Sequence, residues 1–183
     1  IPRQIRLNRT DNDCQGSVVY NTTSTLANPL GFYDSLKTDL YRYPALPPTM
    51  NWKDVEPPNP IQNLRFERLA TGQAGLTWDL PQIASDGDSA KRYVVYRFDY
   101  SNVQPSDLEN SANIFNVEGS RESFPGEPPN PNGPYYFVVT SLDRNFNEST
   151  MSSVLQVDPP SVPLLAYPLN NSLNLADTII FRW

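Results

Sequence analysis

The chain contains no histidine and a single cysteine, Cys14. Without an imidazole there is no Ser-His-Asp relay and no histidine-ligated zinc. One cysteine excludes an internal disulfide, which suits a reducing compartment or an exported bacterial domain that needs no cross-link. Positive charge is scarce too: 14 Lys and Arg against 20 Asp and Glu leave a net charge of −6. A phosphate-backbone partner requires a basic face, so nucleic acid is not expected. No stretch approaches the roughly 20 apolar residues of a membrane helix, so no membrane insertion is expected. No signal peptide is visible. The chain does not begin with methionine and reads as a processed or excised piece.

Proline, by contrast, is abundant, with 19 in 183 residues. Proline fixes φ and removes a donor, so it collects in loops and at strand edges. Two proline-rich stretches, "VEPPNPIQ" and "VDPPSVP", divide the chain into residues 1–56, 57–158 and 159–183. Four Asn-x-Ser/Thr triplets, at Asn8, Asn21, Asn147 and Asn170, arise by chance in a chain of this composition.

The middle region alternates apolar and polar residues in short runs separated by turn signals, which predicts a mainly β chain built as a sandwich. "IQNLRFERL" places Leu64 and Phe66 on one face, and "AGLTWDLP" places Leu76 and Trp78 inward. In "KRYVVYRFD", Tyr93 and Val95 share one face and Val94 and Tyr96 the other. "ANIFNVEG" sets Ile114 and Asn116 against Phe115 and Val117; "PYYFVVTSLD" aligns Tyr135, Phe137, Val139 and Ser141; "SSVLQVD" sets Leu155 and Val157 against Val154 and Gln156. The expected core is Trp78, Tyr93, Val95, Tyr135, Phe137 and Val139.

The first region differs. Ser17–Tyr20 predicts a strand, and Gly31–Tyr43 an amphipathic helix with Phe32, Leu36, Leu40 and Tyr43 on one face. Phe32, Leu36 and Leu40 are too apolar to face water, and the sandwich is their expected cover. The last region, through "TIIFRW", predicts the opening of a further β module that these residues do not complete.

Residues 57–158 resemble a fibronectin type III, immunoglobulin-like domain, on the strength of "LTWDLP" with Trp78, "KRYVVYR" and "PYYFVVTSLDRNFNES". The resemblance implies that Tyr135 is the tyrosine of a tyrosine corner, with its hydroxyl bonded to backbone upstream. No Arg-Gly-Asp triplet is present. "RLNRTDNDCQGSVVYNTTSTLANPLGFYDSLKTDLYRYPALPPTMNWKD" resembles the end of the TIM barrel in bacterial glycosyl-hydrolase-like proteins in which such a sandwich follows. That resemblance implies that residues 1–56 are a barrel remnant comprising Gly16–Tyr20, Gly31–Tyr43 and Pro44–Asp54. The rest of the parent polypeptide is then the partner, located outside the cell, on its surface or in the periplasm.

Asn21, Thr22 and Thr23 would follow the last barrel strand, where barrel active sites lie. They read either as contacts to sugar hydroxyls or as a loop capping a helix. Tyr96, Phe98 and Tyr100 form a stripe that either stacks on carbohydrate or is buried. Glycoside hydrolysis needs a pair of carboxylates flanking the bond. Asp11, Asp13, Asp34 and Asp39 are candidates, with Asp34 and Asp39 on the helix, where acidic residues usually face water. The resemblance implies that the family's catalytic pair lies on earlier barrel strands, so no catalytic residue is expected here. "DGD" at Asp86–Asp88 reads as a hairpin turn, because the remaining ligands of a calcium loop are missing. No metal and no cofactor are expected. "PGEPPNPNGP", 125–134, reads as a stiff connection between sheets. The expected role is a non-catalytic accessory or spacer module; the alternative is a carbohydrate-binding module for polysaccharide or peptidoglycan.

Overall fold

The computed structural model describes residues 2–11, 13, 14, 16–68, 74–119, 124, 125 and 133–158. The expected β segment within 159–183 and most of the stretch 125–134 lie outside these residues.

Among the described residues seven strands form two antiparallel sheets. Strands β1 (Gln62–Arg68), β2 (Ala74–Asp79) and β5 (Phe124–Pro125) make the order β1-β2-β5. Strands β3 (Arg92–Phe98), β4 (Ile114–Glu118), β6 (Tyr135–Leu142) and β7 (Leu155–Val157) make the order β4-β3-β6-β7. Side chains of a strand point alternately to opposite faces, and the inward sets of both sheets meet in one cluster. Leu64, Leu76 and Trp78 from one sheet pack with Tyr93, Val95, Phe137, Val139 and Val157 from the other. Burying a side chain of this size contributes roughly 1.5–3 kcal/mol. Tyr135 packs at the rim, edge-on to Phe137 and 4.7 Å below the Arg97 guanidinium.

The four-stranded sheet is also buried on its outer face. Val94, Tyr96, Phe98, Val138 and Leu142 form a second cluster with Val103 and Ile114, bordered by Leu46, Leu108 and Met151. The cover comes from the β3–β4 connection, with its 3₁₀ turns Pro105–Glu109 and Ser111–Asn113, and from the segment 44–60, hereafter the strap. The outer face of β1 and β2 is instead polar. There Arg65 pairs with Asp79 at 2.9 Å and with Glu67 at 3.2 Å, while Asn63 and Thr77 donate to the same carboxylates.

Two features depart from simple alternation. In β4, Val95 opposes Asn116 and Tyr96 opposes Ile114, leaving Phe115 as an extra residue. This bulge turns Ile114 and Val117 to the same outer cluster and Phe115 to the inner one, which corrects the expected pairing of Phe115 with Val117. Strand β5 was not expected, since proline is rare inside strands. It sits at the edge of the described sheet and pairs with β2 at Gly75 and Leu76.

Between β6 and β7 two serine hydroxyls stand in for a strand. Ser141 N–H donates to Ser149 Oγ and Val139 N–H to Ser152 Oγ, each at 3.0 Å. The returning amides of Ser149 and Ser152 donate to the carbonyls of Ser141 and Val139. Ladder pairing of β6 thus continues past the three residues of β7.

The first region contains helix α1 (Pro2–Asn8), helix α2 (Thr22–Leu26) and a helical segment comprising a 3₁₀ turn Pro29–Gly31, helix α3 (Phe32–Ser35) and a π-helical turn Leu36–Leu40. The expected helix to Tyr43 therefore ends at Leu40, and Tyr43 is half-exposed. Phe32 and Leu40 are buried against Ile5 of α1, with Leu36 at the edge. Their cover is α1, which sequence reasoning missed, and not the sandwich. The expected strand Ser17–Tyr20 is not a strand among the described residues. A strand exists through its ladder, and no described backbone group pairs with this segment.

Candidate functional site

The strongest convergence of polar groups lies where the strap meets the turns at one end of the sandwich. After β6 the chain must reverse within a few residues, and Asp143 organises that reversal. Its Oδ1 accepts the backbone N–H groups of Asn145 at 2.6 Å and Asn147 at 2.9 Å, and its Oδ2 accepts Asn147 Nδ2–H at 2.9 Å. Asp143, Asn145 and Asn147 are all buried. Phe146 takes φ +66° to close the turn, a conformation that a side chain disfavours and that this network holds in place.

The turn in turn grips the strap. Met50 N–H donates to Asn145 O at 3.1 Å, Asn147 Nδ2–H to Asp54 O at 3.2 Å, and Asn145 Nδ2–H reaches Asp54 Oδ2 at 3.4 Å. Further along, Ser85 Oγ–H donates to Glu56 Oε1 at 2.8 Å and Ser141 Oγ–H to Asn59 O at 2.7 Å. Asn59 Nδ2–H is shared between the carbonyls of Gln82 and Ile83. These contacts cross the boundary expected at residue 56. A proline-rich linker is stiff by itself; here it is also stapled to the domain it leads into.

The same junction brings together carboxylates that the sequence keeps apart. Oxygens of Asp54, Asp86 and Asp88 lie within 4.8 Å of one another. Asp54 belongs to the strap, so "DGD" alone did not reveal the group. Asp86 Oδ1 accepts Asp88 N–H at 2.9 Å and Gly87 takes φ +87°, which makes this a tight turn. The turn joins β2 of one sheet to β3 of the other, and so is not the expected hairpin. Arg144 Nε stands 2.9 Å from Asp88 Oδ2. Its N–H is not aimed along the contact, so that oxygen gains charge attraction while lacking a directed hydrogen bond among the described residues. The Asp54 carboxyl is held below its usual value, chiefly by the Glu56 backbone N–H, with Asn145 assisting against desolvation. Calcium takes roughly six to eight oxygens; three carboxylates, one already facing Arg144, supply part of such a set.

The residues expected to meet carbohydrate are dispersed. Tyr96 is fully buried, and its hydroxyl donates to Glu148 Oε1 at 2.7 Å beside Thr140, whose hydroxyl donates to the same oxygen at 2.5 Å. Burial and the Glu148 carboxylate push the Tyr96 phenol above its ordinary value. Its ring has no face free to stack on a sugar. Phe98 is buried too, and Tyr100, 40% exposed, meets it edge-on. Asn21 is the N-cap of α2: its Oδ1 accepts Ser24 N–H at 3.2 Å. Thr22 and Thr23 open that helix and are exposed. Of the expected core, Trp78, Tyr93, Val95, Phe137 and Val139 share the inner cluster. The backbone upstream that Tyr135 was expected to reach includes 126–132, which lie outside the described residues. None of Asp11, Asp13, Asp34 or Asp39 is buried. Asp34 accepts from Asn28, and Asp39 pairs with Arg6.

No protein-family model matches the chain. Among curated proteins it is similar to "Glycosyl hydrolase YngK" of Bacillus subtilis (strain 168), with 33% identity over 150 residues. The match covers 82% of this chain but 28% of that protein, so the chain spans less than a third of its relative's length. Among the described residues no helix is long and apolar enough to cross a membrane.

Proposed function

We propose that these residues form a non-catalytic accessory and spacer region of a bacterial glycoside-hydrolase-related protein, and that they hold its catalytic part in a set orientation. In this reading the sandwich is a fibronectin type III domain. The strand orders β1-β2-β5 and β4-β3-β6-β7, with Trp78 between the sheets, support that assignment. Residues 1–56 are the end of a TIM barrel, and 159–183 begin a further β module. The rest of the longer polypeptide is the partner, and the setting is extracellular, periplasmic or on the cell surface.

The observation that carries the proposal is the stapled strap. A linker that only separated two bodies would leave its backbone to water. Here Met50, Asp54, Glu56 and Asn59 are each hydrogen-bonded to the sandwich, so whatever is rigidly joined to the strap inherits the sandwich's orientation. The similarity to a restricted part of a protein named as a glycosyl hydrolase agrees with an accessory role.

The carbohydrate-binding alternative loses its stripe, since Tyr96 and Phe98 are buried. The exposed rings that remain to it include Trp52, 79% exposed on the strap, with Tyr20, Tyr41, Tyr43 and Tyr100. Titration of the purified chain with polysaccharides and peptidoglycan fragments, followed by tryptophan fluorescence and reducing-sugar release, tests the reading. Neither saturation nor turnover is expected. Saturable binding abolished by Trp52→Ala would replace the spacer reading with a binding module, and turnover would overturn both.

A further inference from the structure

The strap is docked against its own charge. Asp54 on the strap, and Asp86 and Asp88 on the turn between β2 and β3, keep carboxylate oxygens within 4.8 Å of one another. The Glu56 backbone N–H holds the Asp54 carboxyl below its usual value, so its negative charge is present at neutral pH. The bonds that anchor this part of the strap, Met50 N–H to Asn145 O and Asn147 Nδ2–H to Asp54 O, join neutral groups. The contact that uses the carboxylate itself, from Asn145 Nδ2, is 3.4 Å long. The cation in contact with this acidic corner is Arg144, whose Nε stands 2.9 Å from Asp88 Oδ2. That oxygen is closed to solvent, so the guanidinium, and not water, answers its charge. Other charges at this end of the sandwich are engaged separately: Lys91 with Ser89, Arg92 over the Phe146 ring, and Asp143 with the amides of its turn.

We propose that Arg144 is the electrostatic clasp of the strap: its charge offsets Asp88, Asp54 can then sit in the corner, and the strap's grip on the sandwich follows the charge balance there. Without the guanidinium, Asp54 meets two uncompensated carboxylates. One unit charge about 4 Å away changes an equilibrium roughly five-fold even in water, and more where solvent is excluded. An isolated surface ion pair contributes little, but three carboxylates and a cation form a network. Two neutral hydrogen bonds are a modest counterweight to such repulsion. The consequence is regulatory. The orientation that the strap transmits is firm while the corner is balanced, and it loosens when another anion competes for Arg144. This deepens the spacer reading and takes its functional meaning from it, since a strap that transmits no orientation has nothing to regulate.

Hydrogen exchange followed by NMR on the 183-residue chain tests this at the Met50 amide, with the buried Val139 amide as the core reference. Arg144→Gln should speed exchange at Met50 about five-fold or more and leave Val139 unchanged. Sodium chloride at about 0.5 M, which shortens the screening length to roughly 4 Å, should return Met50 to its original rate. So should adding Asp86→Asn, which removes one negative charge but keeps an oxygen to accept Asp88 N–H. Asp86→Asn alone should slow exchange at Met50. Lys91→Gln removes a charge from the same end but outside the cluster, and should leave Met50 as it was. Unchanged exchange in Arg144→Gln overturns the proposal. Acceleration that neither salt nor Asp86→Asn reverses also overturns it, since Arg144 would then act by packing. So does acceleration shared by Val139, or reproduced by Lys91→Gln, which would make the effect global. Polysaccharide turnover would refute the spacer reading and leave these rates unaltered, so the two failures are separable.

Discussion

Replacing Asp143 tests whether the turn after β6 holds both itself and the strap. In the Asp143→Ala protein, three donors lose a charged acceptor: Asn145 N–H, Asn147 N–H and Asn147 Nδ2–H. Hydrogen bonds to charged groups contribute about 1.5–3 kcal/mol each, and buried donors left unmet cost about 1–3 kcal/mol each. Water reaching the loosened turn recovers part of that sum. The expected loss is about 3–5 kcal/mol, a large share of the roughly 5–15 kcal/mol that stabilises a native domain. With a urea slope of about 2 kcal/mol/M, the midpoint should fall by roughly 2 M. Asp143→Asn separates the two roles. Its carbonyl can still accept both backbone N–H groups, but its amide meets Asn147 Nδ2 donor to donor. Asn147 must then flip, which forfeits its bond to Asp54 O. The loss should be about 1–2 kcal/mol, and hydrogen exchange at Met50 should rise while that of the β6 core does not. The assay is urea unfolding by tryptophan fluorescence with exchange in parallel. A midpoint shift under about 0.25 M for Asp143→Ala, the scale of an ordinary surface substitution, would refute the reasoning.

Ser152→Ala should cost about 1–3 kcal/mol by orphaning the buried Val139 N–H, and exchange of that one amide should accelerate while Val138 stays protected. On the outer face of β1 and β2, Asp79 is held below its usual value by Asn63 and then Arg65, and Glu67 by Thr77 and then Arg65. Because both folded values lie below the unfolded ones, their stabilisation is fully present above the unfolded values and is lost as pH falls through the folded ones. Carboxyl chemical-shift titration should show both depressed, and Asp79→Asn should flatten the acid limb of a stability–pH curve.

Much of the sandwich was legible because its signal is local. A strand alternates with period two, so Leu76 with Trp78, and Tyr93 with Val95, declare their shared face without any knowledge of a partner strand. The same rule identified β3 as a strand apolar on both sides. Alternation failed where an extra residue enters. Phe115 bulges because β4 must realign against β3 between Val95 and Tyr96, a requirement of the pair and not of either strand. Strand β5 was hidden by Pro125, a residue that sheet edges tolerate. Helix α1 was missed because its single buried residue, Ile5, carries no periodic pattern in seven residues.

The candidate site was less legible, since its members meet only through the fold. Asp54 and Asn147 are 93 positions apart, and their hydrogen bond follows from where the strap crosses the end of the four-stranded sheet. Composition and alternation by themselves determined a mainly β chain, free of disulfide and histidine chemistry, with a tryptophan inside. Tertiary structure alone decided that Tyr96 binds Glu148 beneath a cover instead of facing a ligand, that three aspartates share one corner, and that α1, not the sandwich, covers Phe32 and Leu40. The physical reason is range. Side-chain alternation is set within a few residues, whereas burial, charge proximity and ladder pairing depend on which distant segments the folded chain places side by side.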